Sequence, residues 1–480
     1  MKYDQFLSIY NSGPEATYKL LASTMETNIK LSAQLTQLEE RVKELEDRLN
    51  KNSSNSSKPP SSDEFIKPKS QRKKSGKKPG GQKGRKGKTL KMSANPDHVV
   101  THQVTSCECC GYRLEEVQPN RIEMRQEYDI PPQKMLVTEH QSERKQCPSC
   151  SYQNSASFPS GIKLPVQYGP FLKSMLVYLN QYQLIPYKRT VELIEDIYGH
   201  KLSEGMLFNS IHSTYEALQP VEEKTIEMLL NTPVNHVDET GLRVEGKRQW
   251  LHVLCNDKLT HYDYHGKRGM KALEDIGILT RYTGTIIHDY WKPYFKLACR
   301  HGLCNAHHLR ELTGITELTG QAWPEQLSGL LLEIKKTLLE HQRKGIRLSK
   351  DELAAFSKRY DLIIEKGYLE NPPPKESPQK KRGRKKQSKA RNLLNRLSEH
   401  KGEALAFMYD DRICFDNNQA ERDIRMVKVK QKISGVFRSE QGAKMFCRIR
   451  GYISMVKKNS LPVLDAINGA LQGYPYIPQA

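Results

Sequence analysis

The chain has 480 residues, 37% hydrophobic and 27% charged, with a formal net charge of +21 at neutral pH. That length suits two to four domains of roughly 100–200 residues, and no run approaches the ~18 consecutive apolar residues of a membrane span. The opening stretch, MKYDQFLSIYNSGPEATYK, lacks the apolar core and cleavage site of a signal peptide. A cytoplasmic protein is expected, one whose cysteines act as metal ligands or buried apolar residues and not as disulfides.

The charge is segregated. Residues 65–91 carry twelve Lys or Arg and no acid, and residues 380–391 carry eight more, again with no acid. The remainder is close to neutral, so two basic runs on a balanced protein point to a polyanionic partner, most simply double-stranded DNA. The cations expected to meet it are Lys77, Lys78, Lys83, Arg85 and Lys86 in the first run, with Arg382, Arg384 and Lys385 in the second.

A multidomain α+β chain is expected. Residues 1–52 read as an N-terminal helix and coiled coil. Leu31, Leu35, Leu38, Val42, Leu45 and Leu49 follow a heptad, and Glu39, Glu46, Arg41 and Arg48 flank the seam. A parallel homodimer through residues 31–49 is the preferred reading; a helix packed on its own chain is the alternative. Residues 53–95, rich in Ser, Asn and Pro and then basic, cannot build a core and read as a linker.

Residues 96–160 form a zinc-ribbon-like module. Cys107-x-x-Cys110 and Cys147-x-x-Cys150 enclose 36 residues and fit a tetrahedral four-thiolate zinc site. The stretches RIEMRQEYDIPP and MLVTEHQSERKQ between them are expected to hold strands. Residues 165–225 read as helices in a helix-turn-helix-like domain, with a turn at Gly199 and Ser203 as an N-cap.

Residues 230–319 alternate like strands. Three antiparallel strands, a short helix and a further strand are the opening of a ribonuclease H-like α/β catalytic core. Residues 320–398 read as a helical insertion bearing the second basic run, 399–460 as the rest of the core, and 461–480 as a C-terminal helix and tail. Asp238 lies where an apolar strand ends or reaches the middle of its sheet, and Asp289 closes TGTIIHD 51 residues later. Either acid alone reads as a turn cap. Both on neighbouring strands suit two divalent cations in phosphodiester cleavage, and a third acid is then expected from a late helix. Asp410, Asp411, Asp416, Glu421 and Asp423 are the candidates. Glu421 shares a helix face with Arg425, Lys428 and Lys432, which suits a DNA backbone crossing that helix, while a plain Glu421–Arg425 ion pair competes with this reading.

Taken together, NSSNSSKPPSSD, KKPGGQKGRKG, CECCG with CPSC, HVDETG, HDYWKPY, CNAHHLREL and DNNQAERDIRMVKVKQKISGVFRSEQGA resemble the large transposase of the insertion sequence 66 family. That family comprises bacterial DDE-type DNA transposases, and the resemblance runs nearly the whole length of the chain. It implies that Asp238, Asp289 and Glu421 form the acidic triad, holding Mg2+ or Mn2+, and that accessory transposition proteins take part. The family's Asp-Gly-Tyr becomes Asp289-Tyr290-Trp291 here, with Trp291 and Tyr294 keeping the aromatic spacing. CNAHHLREL keeps Cys304, His307 and Arg310 of the family's pattern. His307 and Arg310 are expected beside the acids, although a core histidine and half of a metal site are alternatives. KRGRKK is similar to an AT-hook core, for minor-groove entry or phosphate contact. A DNA-binding repressor or architectural protein derived from a transposase is the rival to an active enzyme.

Overall fold

The computed structural model describes residues 3–53, 55–56, 90–373 and 387–479. Lys77, Lys78, Lys83, Arg85, Lys86, Arg382, Arg384 and Lys385 lie outside the described residues. The described chain falls into two compact units. One contains residues 90–162 and 192–202, and the other contains the remainder.

The first residues build α1 (Tyr3–Asn11) and α2 (Pro14–Leu49), the latter opened by Gly13 and a proline at its first turn, where the missing N–H costs nothing. Along the heptad seam, Leu35, Leu38 and Val42 are 59, 65 and 53% exposed, so the described residues do not cover it. After α2, the Asn55 side chain donates to Glu317 Oε2 at 2.8 Å. Gly314 makes room, because a Cβ there would overlap the Asn55 carbonyl oxygen.

The smaller unit is built from two turns of the same kind. The Cys107 and Cys147 N–H groups bond the carbonyls of Tyr112 and Tyr152, and their own carbonyls accept from Gly111 and Ser151. Gly111 and Ser151 both sit at positive φ. The second turn joins β1 (Arg144–Gln146) to β2 (Gln153–Ser155), an antiparallel pair. The strands expected within RIEMRQEYDIPP do not form, and MLVTEHQSERKQ contributes strand only at its end, in β1. Ile122, Met124, Leu136 and Val137 are exposed. An alternating segment becomes a strand only against a partner ladder, and none of the described residues supplies one.

In the larger unit, α3 (Pro170–Val177) passes through a π-helical turn at Tyr178–Tyr182 toward the start of α4 (Tyr187–Tyr198), whose residues from 192 on belong to the smaller unit. α5 (Glu204–Ala217) follows, and the Ser203 hydroxyl caps it by accepting from the Met206 N–H. α6 (Gln219–Asn231) leads into the sheet. β3 (Val234–Val244), β4 (Lys247–Cys255) and β5 (Thr260–His265) run antiparallel. The β3–β4 hairpin turns on Glu245 and Gly246, both at positive φ, which is the twist a two-residue hairpin requires. α7 (Met270–Ile276), ended by left-handed Gly277, crosses over to β6 (Thr285–His288), which pairs parallel to β3. β7 (Arg300–Leu303) then pairs parallel to β6, giving the order β5-β4-β3-β6-β7 with β3 in the centre.

Beyond the sheet, α8 (Asn305–Thr319), α9 (Trp323–Arg343), α10 (Lys350–Glu370), α11 (Lys389–Glu399) and α13 (Ala406–Tyr409), the last reached through the short α12 (Lys401–Ala404), share one apolar core, including Leu312, Trp323, Leu331, Tyr360 and Leu394. α14 (Asn418–Ser434) lies on β3 and β4, α15 (Glu440–Lys458) on β5, and α16 (Val463–Leu471) on α3 and α5. Val253, Leu251 and Leu242 of the sheet meet Ala420, Ile424, Val427 and Phe446 of the two helices in a second core. That packing fixes which residue of α14 stands over β3.

Candidate active site and zinc knuckles

Strand alternation sets the first acid. Asp238 shares a face of β3 with Leu242 and Val244, which pack under α14 and α15, and it sits opposite Val253 of β4. It thus occupies the middle of the central strand, not a strand end. Asp289 is the first residue after β6, the parallel neighbour of β3, so the two carboxylates come from adjacent strands.

Asn417 sets the third acid. Its side chain donates to the Val237 carbonyl and contacts His236 Nδ1, both at 2.8 Å, and its backbone N–H donates to Cys304 Sγ at 3.1 Å. The start of α14 is thereby fastened to β3 next to Asp238 and to the start of α8, and Glu421 follows one turn later. Asp416 accepts from the Asn418 N–H at the helix entrance, as its place in the sequence suggests.

The other candidate acids have different partners. Asp410 pairs with Arg412, Asp411 with Arg347, and Asp416 with Lys335. Asp423 is buried, 2.7 Å from Lys458, and accepts from Thr260, Ser454 and Gln419, which makes it a structural anchor. Glu421 instead stands 3.7 Å from both Arg310 Nη2 and His307 Nδ1. The sequence offers Arg425 as its ion-pair partner; the nearest cation is instead Arg310 of α8. Helical spacing brings i and i+4 within reach, but α8 crosses closer.

The electrostatics of the three acids are linked. Burial, then the charges of Glu239 and Asp289, push Asp238 well above the ordinary carboxylate range, and Glu421 adds to the push. Burial and Glu239 raise Asp289 to about 7 against a pull from Arg268. Burial raises Glu421 against Arg310, with Arg425 a weaker counterweight. Desolvated carboxylates that raise one another favour either protons or a cation. The described residues contain one group of three potential ligands whose atoms lie within 4.8 Å of one another, namely Cys304, His307 and Glu421. Asp238, Asp289 and Glu421 do not reach that closeness together.

Glu239 ties Asp238 to the residues around it. The Glu239 N–H bonds Asp238 Oδ1 at 2.8 Å, while the Glu239 carboxylate accepts from Arg268 Nε at 2.9 Å and from the Tyr294 hydroxyl at 2.6 Å. Arg268 lies over the rings of both Trp250 and Trp291. Trp291 and Tyr294 thus act through Arg268 and Glu239. Glu239, Arg268 and Trp250 are not marked out by the sequence; the one signal is an acid beside Asp238. Tyr290, where the family resemblance has glycine, adopts φ 62. A bulky residue there is strained, and its ring is held by Phe295, His400 and Arg396.

His307 and its neighbour divide the two histidine readings. His308 is the core histidine, buried and 3.0 Å from Asn305 Oδ1. His307 faces Glu421, and burial together with Arg310 lowers it to about 4. Cys304 is buried, and burial pushes its thiol up to about 12.

Of the cations expected on α14, Arg425 and Lys432 are exposed. Lys428 is half-buried and its ammonium bonds the Gly241 carbonyl, so it is not a free surface charge.

The zinc knuckles pair Cys107 with Cys110 and Cys147 with Cys150. Backbone and thiol hydrogen bonds from within each turn lower Cys107 and Cys147, the shift a thiolate ligand needs. The four sulfurs do not gather within 4.8 Å of one another, so each pair is formed and closure of the two pairs is left to the metal. No helix among the described residues is long and apolar enough to cross a membrane.

Comparison with known families agrees with these features. The zinc-finger binding domain of IS66 transposases matches residues 105–151, which include all four knuckle cysteines and support a structural zinc. A family of unknown function matches residues 15–91. No curated protein matches the chain. The family model described as "Transposase IS66 family" matches residues 165–445, from ahead of α3 into α15 and across every acid described above. With more than half of its length matched, the chain belongs to the IS66 family of transposases.

Proposed function

We propose that the protein binds the terminal inverted repeats of an insertion element, cleaves at its ends and joins the freed 3′-hydroxyls to target DNA. What supports this reading is that Asp238 and Asp289 come from adjacent parallel strands and that Asn417 fastens the start of α14, which carries Glu421, beside Asp238. The strand order β5-β4-β3-β6-β7 supports a ribonuclease H-like core around them.

The donor set fits a hard divalent cation. All three side chains offer carboxylate oxygens, and Glu421 Oε1 is buried without a hydrogen-bond partner. When bound, magnesium or manganese supplies Lewis-acid polarisation of the scissile phosphate and charge for the leaving oxygen. Asp238, Asp289 and Glu421 would hold it. Asn417 keeps α14 aimed at β3, and Glu239, fixed by Arg268 and Tyr294, keeps the Asp238 carboxylate oriented through its backbone N–H.

The remaining parts serve DNA. In this reading the two zinc knuckles close on one ion, the helices from 165 to 225 and the basic runs hold the element ends, and Arg425 and Lys432 meet the backbone near Glu421. The uncovered seam of α2 pairs two protomers, which brings two ends together, and accessory proteins join the assembly. Incubating the full-length protein with magnesium and a duplex carrying the repeats that flank its gene tests this. Release of a 3′-hydroxyl at the repeat boundary is expected. Tight binding of the same duplex without any strand cleavage would instead favour the repressor reading.

A further inference from the structure

We propose that Cys304, His307 and Glu421 form a second metal site, one that takes a borderline-soft divalent cation, zinc above all, and whose occupancy draws Glu421 away from the two aspartates. α8 begins directly after β7, with Cys304 as its N-cap and His307 in its first turn, where the His307 N–H bonds the Cys304 carbonyl. The Asn417 N–H donates to Cys304 Sγ and so fastens α14 to that same helix start. Glu421, one turn further along, comes to face the cysteine and the histidine.

The three ligand atoms lie within 4.8 Å of one another. His307 Nδ1 and Glu421 Oε1 stand 3.7 Å apart, both buried, and neither makes a hydrogen bond. Buried polar atoms without partners are uncommon in folded proteins, and a cation between these two would supply the missing partner. Arg310 Nη2 is also 3.7 Å from the Glu421 oxygen, without a hydrogen bond, so an incoming cation displaces no formed bond.

The donor types select the ion. Sulfur, imidazole nitrogen and carboxylate oxygen together are a zinc set, and three protein ligands leave a fourth position open for water or a phosphate oxygen. Magnesium, which prefers oxygen donors alone, is poorly served by the same three. The N–H of Asn417 on Sγ is the outer-shell contact expected of a ligating thiolate. Binding rests on these residues alone. That occupancy silences cleavage rests on the reading of Glu421 as the third catalytic acid.

The test is a zinc count on the full-length protein dialysed against buffered free zinc, with a cleavage assay alongside. The wild type should hold one more zinc per chain than Cys304→Ser or His307→Gln, all three sharing the same knuckle cysteines, while Asp238→Asn should match the wild type. Substitution with cobalt should give a thiolate-to-metal absorption difference between the wild type and Cys304→Ser, provided that both melt at similar temperatures. Equal zinc counts in the wild type and both variants would overturn the site. In magnesium, zinc at site-filling concentration should stop cleavage by the wild type and spare Cys304→Ser; equal sensitivity would overturn the silencing. If the wild type cleaves under no condition, the catalytic reading fails, and the zinc count still decides the site.

Discussion

The zinc knuckles and the acid site are ordered by opposite means. Each knuckle is a local turn in which residues five apart bond one another, and its surroundings are largely exposed. The acid site is assembled from positions far apart in the chain: Asn417 reaches Val237 across 180 residues and Cys304 across 113. One region has turns that a metal would join, whereas the other has carboxylates held by burial within the fold. Losing a metal should therefore unmake the first and merely recharge the second.

The largest effect follows from that difference. Chelating zinc should abolish amide protection at Cys107 and Cys147 while leaving β3–β7 protected, since zinc binding contributes about 10 kcal/mol or more to such small modules. Hydrogen exchange of the full chain with and without chelator measures this, and a matching loss in the sheet would break the contrast.

Two acids on one helix sharpen it. Asp423→Ala leaves Lys458 buried without its partner and should cost about 3–5 kcal/mol in urea unfolding. Glu421→Gln, which removes a desolvated charge, should leave stability unchanged or raised. If the two variants unfold alike, the division between anchor and site is wrong. Asn417→Ala should cost about 1–3 kcal/mol, because the buried Val237 carbonyl and His236 lose their partner. It should also slow cleavage, since α14 is no longer fastened beside Asp238.

The smallest effect is a pH slope. Asp289 titrates at about 7 in the fold, against about 4 for an unfolded aspartate. Between those values the folded chain holds the extra proton, so the contribution of Asp289 to stability is greatest below about pH 4 and is lost as pH rises to about 7. Asp289→Asn should flatten that decline, and so should saturating magnesium, which replaces the proton with a cation. Thermal melts of the metal-free protein at several pH values would show whether the slope runs the other way.

Much of this was legible in the sequence because it is local or periodic. The strands around HVDETG and TGTIIHD, the two CxxC turns, the Ser203 cap and the helix α2 all form where their patterns put them. What was not legible depends on elements meeting. Within CNAHHLREL only the family resemblance points to His307 over its neighbour; in the fold His307 faces Glu421 and His308 packs into the core. Lys428 looks like one more cation in a basic stripe until β3 places a carbonyl beside it. The strands expected between the knuckles failed for the same reason, since alternation predicts a face and not a partner. At Tyr290, a residue poorly suited to left-handed backbone is kept there by rings that only the fold brings near.

The account turns on three carboxylates acting as one site. The most direct measurement is magnesium-dependent strand cleavage of repeat-bearing DNA by Asp238→Asn, Asp289→Asn and Glu421→Gln, each compared with the wild type at equal DNA occupancy. Each variant should still bind the duplex and cut at least about a thousandfold more slowly, the loss expected when several kcal/mol of metal-borne transition-state stabilisation is removed. Wild-type cleavage rates in all three would contradict it.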